Sequence, residues 1–390
     1  MRAHLLLLSF VASAAILNSP ILAAENTLTP EEQADGWLLL FDGESLFGWR
    51  AVGDADFRAA DGRIVATEGD VCLLRTTTQF SDYELKVDFR AAEGTNSGVF
   101  LRTSPEPTKV DRDCYELNIA PADNPFPTGS FVGREKVEVP VTDGEWHTFD
   151  VTAKGGHFVI KLDGETVLDY TDEKPLGKGY IGLQHNEGKI EFRNVKLKPL
   201  GFQSIFNGKD LTGWTEYPEM ASKFSVTEEG WLNVKDGRGQ LETKEEYGDF
   251  ILQLSCYSNG EHLNSGIFFR CVPGSQMDGY ESQIQNGFEG DDRTRPLDCG
   301  TGGIFRRKNA RKVVSNDFEW FTKTVIADGP HVAVWVNGYP VTEWTDKRKP
   351  DANPRRGLRT EPGTLMIQGH DPTTDLSFRN LLVAPIPSRW

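Results

Sequence analysis

The chain has 390 residues, 38% of them hydrophobic and 26% charged, and a formal net charge of −16. This composition is ordinary for a globular protein, and the length suits two domains. The acidity argues against a nucleic-acid partner, because phosphate contacts need a basic surface; neutral sugars carry no such penalty, whereas an anionic polysaccharide would need a local basic site or a metal.

In chain order, Met1-Arg2-Ala3-His4 gives a short positive start, Leu5 to Leu17 is mostly apolar, and Ala23-Ala24 precede the polar Glu25-Asn26. That order is expected of a secretory signal peptide, residues 1–24, cleaved after Ala24, and places the mature protein as secreted or periplasmic. The apolar run falls short of the ~20 residues needed to span a bilayer, and no later stretch is long enough, so no membrane span is expected after its removal. Pro30-Glu31-Glu32-Gln33-Ala34 is the one segment that reads as helix. Tyr83 to Arg90 alternates apolar and polar residues, the mark of a half-buried strand. Phe158 to Leu162 followed by Asp163-Gly164, and Val332 to Val336 followed by Asn337-Gly338, read as strands entering type I′ hairpin turns.

The chain repeats itself. Phe41-Asp42-Gly43 with Leu46-Phe47-Gly48-Trp49 returns as Phe206-Asn207-Gly208 with Leu211-Thr212-Gly213-Trp214. Asn96-Ser97-Gly98-Val99-Phe100-Leu101-Arg102 returns as Asn264-Ser265-Gly266-Ile267-Phe268-Phe269-Arg270, Tyr115-Glu116 as Tyr280-Glu281, Trp146 as Trp320, and Phe192-Arg193-Asn194 as Phe378-Arg379-Asn380. The separation grows from 165 residues (Asp42 to Asn207) to 186 (Asn194 to Asn380), so the second copy carries inserted loops. Each copy is a whole domain, 25–200 and 201–390, since blades and solenoid turns have far shorter periods. With no Ser- or Pro-rich spacer near Pro199-Leu200-Gly201, the two domains should touch. Many short strands broken by 39 Gly and 21 Pro residues indicate an all-β sandwich in each copy. Five cysteines include no CxxC pair, which argues against zinc; Cys256 and Cys271 flank an apparent strand pair and are the expected disulfide, if one forms.

These repeated segments resemble the 3-keto-disaccharide hydrolase domain family, over nearly all of residues 37–198 and 202–386. The resemblance implies two tandem concanavalin-like jelly-roll β-sandwich domains, related to laminin-G and glucanase domains. It also implies hydrolytic or eliminative cleavage of 3-keto glycosides.

Strand alternation indicates which side chains share a face. Phe100 with Arg102, and Phe268 with Arg270, should oppose the core-facing Val99, Leu101, Ile267 and Phe269. Glu116 and Asn118, Glu281, Gln283 and Gln285, Gln184, and Gln368 with His370 should likewise point outward. Each copy thus offers an aromatic to stack on a pyranose, with amides and charges for its hydroxyls: Phe100, Asn118 and Gln184 in one, Phe268, Gln283 and Gln368 in the other. A solvated sheet face would show the same alternation without any site. If the family reaction applies, a ketone at C3 acidifies the C2 proton, and its removal expels the C1 aglycone before water adds. That chemistry needs a base, an enolate stabiliser and an acid. Glu281 or His370 is the expected base and Arg270 the stabiliser, with Glu116, His185 and Arg102 corresponding in the first copy.

No cofactor is required by the pattern. Asp291, Asp292 and Asp298, or Asp371 with Asp375, could ligate calcium, but at a spacing that matches no fixed loop motif. The basic run Arg306-Arg307-Lys308 with Arg311-Lys312 reads as a solvated hairpin, or else as a grip on an anionic sugar. His147, His157, His262 and His331 read as ordinary strand or loop residues. A non-catalytic carbohydrate-binding pair, or an adhesion module, would use the same faces.

Overall fold

In a computed structural model describing residues 24–387, the chain is almost entirely β, with two sandwiches in tandem. The signal-peptide expectation, apart from Ala24, lies outside the described residues. Among the described residues no helix is long and apolar enough to cross a membrane. The helix Pro30–Ala34 forms as expected, closed by a capping box in which Thr29 and Glu32 satisfy each other's backbone N–H.

Each sandwich pairs an eight-stranded antiparallel sheet with a five-stranded one. The first small sheet runs, in spatial order, Trp49–Val52, Cys72–Thr76, Tyr180–Glu187, Asn96–Thr103, Tyr115–Ile119. The second repeats this order with Trp214–Glu216, Gly239–Thr243, Thr364–Gly369, Ser265–Cys271, Tyr280–Ile284. Both are concanavalin-like jelly rolls. The period-2 strand Tyr83–Ala91 buries Tyr83, Leu85, Val87 and Phe89 completely. Both hairpins turn through left-handed pairs, Asp163 (φ 51°) with Gly164 and Asn337 (φ 50°) with Gly338, as a type I′ turn requires.

Most of the repeated motifs hold the scaffold together. Trp49 and Trp214 donate their indole N–H to the carbonyls of Leu40 and Ile205. The arginine of each FRN triplet lies over the preceding tryptophan of its copy, Arg193 on Trp146 and Arg379 on Trp320, each 4.0 Å from the ring centroid. Tyr115 and Tyr280 donate to Asp172 and Asp346, both at 2.8 Å.

The domains touch. The apolar core of the first sandwich runs on into Ile251, Ile326, Ala333, Trp335, Ala384 and Ile386 of the second. Around this seam Trp335 donates to Leu39 O, His331 Nε2 meets Thr78 Oγ1 at 3.0 Å, Lys178 pairs with Asp328 at 2.7 Å, and Arg311 reaches Asp42. Burial holds the His331 imidazole near a pKa of about 4, so it stays neutral at the interface. The basic run therefore divides: Arg311 ties the domains together, while Arg306 stays exposed.

The expected Cys256–Cys271 bridge is absent, and all five cysteines are free and buried. Cys256 belongs to the large sheet and the central core, whereas Cys271, on the small sheet, packs with Phe268, Met277 and Met366 in a separate cluster. Two thiols on opposite sides of a sheet cannot meet.

Candidate active site on the second sandwich

The outer face of the second small sheet carries a cleft of about 580 Å³. Its floor is the strand Tyr280–Ile284, whose alternation sends Glu281 and Gln283 outward, and the strand end that carries Gln368 and His370. Gly266 sits beside the acid. A Cβ there would stand 2.9 Å from Glu281 Cγ and Oε1, so the glycine of the NSG segment is the space into which the carboxylate folds. The serine of that segment braces the neighbouring strand, Ser265 Oγ donating to Gln368 O at 2.8 Å.

Glu281 is 5% exposed, and burial raises its pKa against the opposing pull of Arg355. Arg355 Nη2 donates to Glu281 Oε2 at 3.0 Å and its Nε to Met277 O at 3.1 Å. Gln283 Nε2 donates to Asn264 Oδ1 at 2.8 Å and to Asp298 Oδ2 at 3.2 Å. The side-chain amide oxygens of Gln283 and Gln368 are buried and have no hydrogen-bond partner among the described residues. His370 Nδ1 lies 2.8 Å from Asp371 Oδ2, which orients the ring and leaves Nε2 for another group.

Five sequence-predicted site residues are corrected here. Arg270 and Arg102 do not reach the outer faces. Each takes a left-handed backbone (φ 50° and 48°) at a break in strand register, which turns its side chain off the period-2 course. Arg270 binds Asp249 and the carbonyls of Gly329 and Arg359; Arg102 binds Asp82 and the carbonyls of Ser81, Gly155 and Leu176. Both are locked struts of the scaffold, 1% and 2% exposed. The aromatics are also closed off. Phe268 lies under Arg355 and Met277, and Phe100 under Val110 and Cys114, so neither ring face is open to a sugar. His185 is not the counterpart of His370. Strand pairing sets His185 against Gly369, one residue earlier, and His185 lies buried on the face opposite to Gln184, near Phe57 and bonded to Gly188 O.

In the first copy Glu116 (6% exposed) keeps Gln184 as its partner, and burial pushes its pKa to about 7. Asn118 is spent on Phe126 O. The loop between Thr171 and Tyr180 is short there; its counterpart, 346–363, is the insertion that delivers Arg355. Sequence reasoning missed Arg355 because an insertion has no matching residue to reveal it. Asn264 was visible in the NSG repeat, but only as a fold marker.

The calcium expectation finds no assembled site. Among the described residues no group of three or more His, Cys, Asp or Glu side chains is placed to hold a metal ion. Asp298 serves Gln283 and Asn264, Asp292 binds Thr294, Asp371 binds His370 and Thr373, and Asp375 binds Asn233, Asn259 and Lys235.

A polar cleft on a jelly-roll face, floored by a carboxylate and amides, belongs to a carbohydrate-active class of β-sandwich. The comparisons with known proteins give the family: residues 36–198 and 201–384 both match the 3-keto-alpha-glucoside-1,2-lyase-like domain, and the chain belongs to that family, with two copies of its domain. It is 24% identical, over 231 residues, to a Bacteroides thetaiotaomicron protein named 3-keto-disaccharide hydrolase; the match spans 43% of this chain and 79% of that one. Among solved structures, a candidate glycosyl hydrolase from Parabacteroides distasonis aligns at 24% identity over 45% of this chain and all of its own (TM-score 0.40). The carbohydrate-binding module CBM66 from Bacillus subtilis aligns at 18% identity over 39% of this chain and 95% of its own (TM-score 0.33).

Proposed function

We propose that this is an exported enzyme that cleaves 3-keto glycosides in the cleft of its second sandwich. The observation that carries the reading is the convergence of Glu281, Arg355 and His370 on one cleft, in a family described by that chemistry. Export rests on the character of residues 1–24.

Glu281 takes the C2 proton of the keto sugar. The electrons of the C–H bond pass into a C2–C3 double bond with the charge on the C3 oxygen; as the C3 carbonyl re-forms they become the C1–C2 double bond, and the C1–O bond breaks toward the aglycone. A buried carboxylate is a stronger base than one in water, which suits this role. Arg355, whose Nη1 has no partner among the described residues, supplies the positive charge that steadies the enolate oxygen at C3. His370, oriented by Asp371, donates a proton to the departing oxygen. Water then adds at C1, giving one proton to His370 as its oxygen bonds to carbon, and C2 recovers the proton held by Glu281, so acid and base return to their starting states. Gln283 and Gln368 line the cleft beside Glu281 and supply amides to the sugar hydroxyls. The usual two-carboxylate glycosidase scheme fits less well, because Asp298 is engaged by Gln283 and Asn264.

The test is turnover of a 3-keto glucoside bearing a chromogenic aglycone, with and without EDTA, against its unoxidised parent. Release from the keto substrate alone is expected. Equal release from both would replace the elimination with ordinary hydrolysis, and release from neither by folded protein would make the chain a binding module. The first copy favours a binding or bracing role for that half, since Glu116 there has an amide partner and no arginine.

A further inference from the structure

Two arginines at the cleft have no hydrogen-bond or ion-pair partner for their guanidinium groups among the described residues. Arg238 and Arg306 both line it and are exposed. Among the described residues the guanidinium of Arg238 has no partner, and that of Arg306 has only the neighbouring Phe305 ring, 5.0 Å away. Every carboxylate lining the cleft is by contrast engaged: Glu281 with Arg355, Asp278 with Ser275, Asp298 with Gln283 and Asn264. In a chain of net charge −16, two free cations beside a ligand cavity are not explained by general surface charge.

The first copy shows what these positions hold without them. Strand and turn pairing set Val71 against Arg238 and Gly133 against Arg306. The second replacement is costly. Gly133 turns at φ 71°, and Arg306 keeps the same left-handed conformation at φ 57°, which an L side chain adopts only at a steric cost. A left-handed side chain at the cleft with no hydrogen bond or ion pair among the described residues is placed to meet a ligand.

We infer that Arg238 and Arg306 form an anion subsite, so that the preferred substrate carries a carboxylate or sulfate ester on a sugar next to the oxidised ring. Guanidinium forks suit both groups, which share planar or near-planar pairs of acceptor oxygens. The inference rests on the keto-glycoside reading for its reaction but not for its binding.

It is tested in two assays, on wild type and on Arg238→Gln, Arg306→Gln and the double variant. The first compares kcat/KM for three 3-keto disaccharides whose second sugar is glucose, glucuronate or glucose 6-sulfate. The preference for an anionic over the neutral substrate should fall about fivefold in each single variant and more than about twentyfold in the double; high salt should lower the wild-type preference. The two anions separate the carboxylate from the sulfate source. The second assay measures binding of the same three disaccharides, unoxidised, by calorimetry, and therefore holds even if no substrate turns over. Tighter binding of an anionic ligand that the double variant loses supports the subsite, whatever the fate of the reaction. Equal binding of charged and neutral ligands, no binding of any, or a preference that survives the double variant would overturn it.

Discussion

The two sandwiches place the same glutamate on the same strand and surround it differently. Glu116 and Glu281 both follow a core tyrosine, both fold into the space left by an NSG glycine, and both are nearly sealed from water. Around Glu281 the second copy adds Arg355 from an inserted loop, His370 from just past the strand Thr364–Gly369, and the exposed pair Arg238 and Arg306. Around Glu116 the first copy has Gln184, with Val71, 60% exposed, and Gly133 at the positions of the two arginines. Their cores differ as well. Lys323, wholly buried at the position of Phe149, donates to the backbone carbonyls of Ser282 and Gln283 under the cleft floor. Duplication thus kept the fold-forming residues in both copies, while the polar dressing of the carboxylate diverged.

That contrast can be broken at several points. Arg355→Met should lower kcat on a keto glucoside by about 10²-fold or more, as expected for a lost charge stabiliser. Because Arg355 also opposes the burial of Glu281, the acid limb of the pH–rate profile should move to higher pH in this variant. In wild type the rate should fall as pH drops through the raised Glu281 pKa, since the base must be ionised. An unmoved limb would remove Glu281 as the titrating base. Gly266→Ala places a methyl in the carboxylate's space and should cost roughly tenfold in kcat by misplacing the base. A rate within twofold of wild type would deny that the acid's position matters.

The two buried groups give smaller, oppositely signed effects on stability. Glu116 has a folded pKa of about 7, above its unfolded value near 4.3, so wild type loses stability as pH rises between the two. Glu116→Gln should therefore match or trail wild type at pH 4 and gain about 4 °C in Tm on it by pH 8. Lys323 has a folded pKa of about 7, below its unfolded value near 10.4, so its charge costs stability at low pH and the cost fades as pH rises. Relative to Lys323→Met, wild type should gain about 4 °C in Tm between pH 7 and pH 10. Calorimetry of both variants across pH checks the signs, and parallel curves for either pair would refute the corresponding burial argument.

The repeat, the sandwiches, the I′ hairpins and the outward course of Glu281, Gln283, Gln368 and His370 were legible because each depends on local chemistry or on a clean period of two. The arginines of the NSG strands were not. One left-handed residue turns Arg270 and Arg102 off that period, and nothing in the letters marks a non-glycine residue as left-handed. His185 was misread by a single position, enough to send it to the other face. Phe100 and Phe268 point outward as expected but are roofed by loops whose course depends on long-range packing. Arg355 reaches Glu281 across 74 residues of sequence, a meeting that only the folded chain reveals.

The central claim is that chemistry resides in the second sandwich and not the first. It is tested most directly by initial rates on one chromogenic 3-keto glucoside for Glu281→Gln and Glu116→Gln, with both proteins shown to be folded. The account predicts a loss of about 10³-fold or more for Glu281→Gln and a rate within about threefold of wild type for Glu116→Gln. Full activity in Glu281→Gln, or a collapse in Glu116→Gln alone, would contradict it.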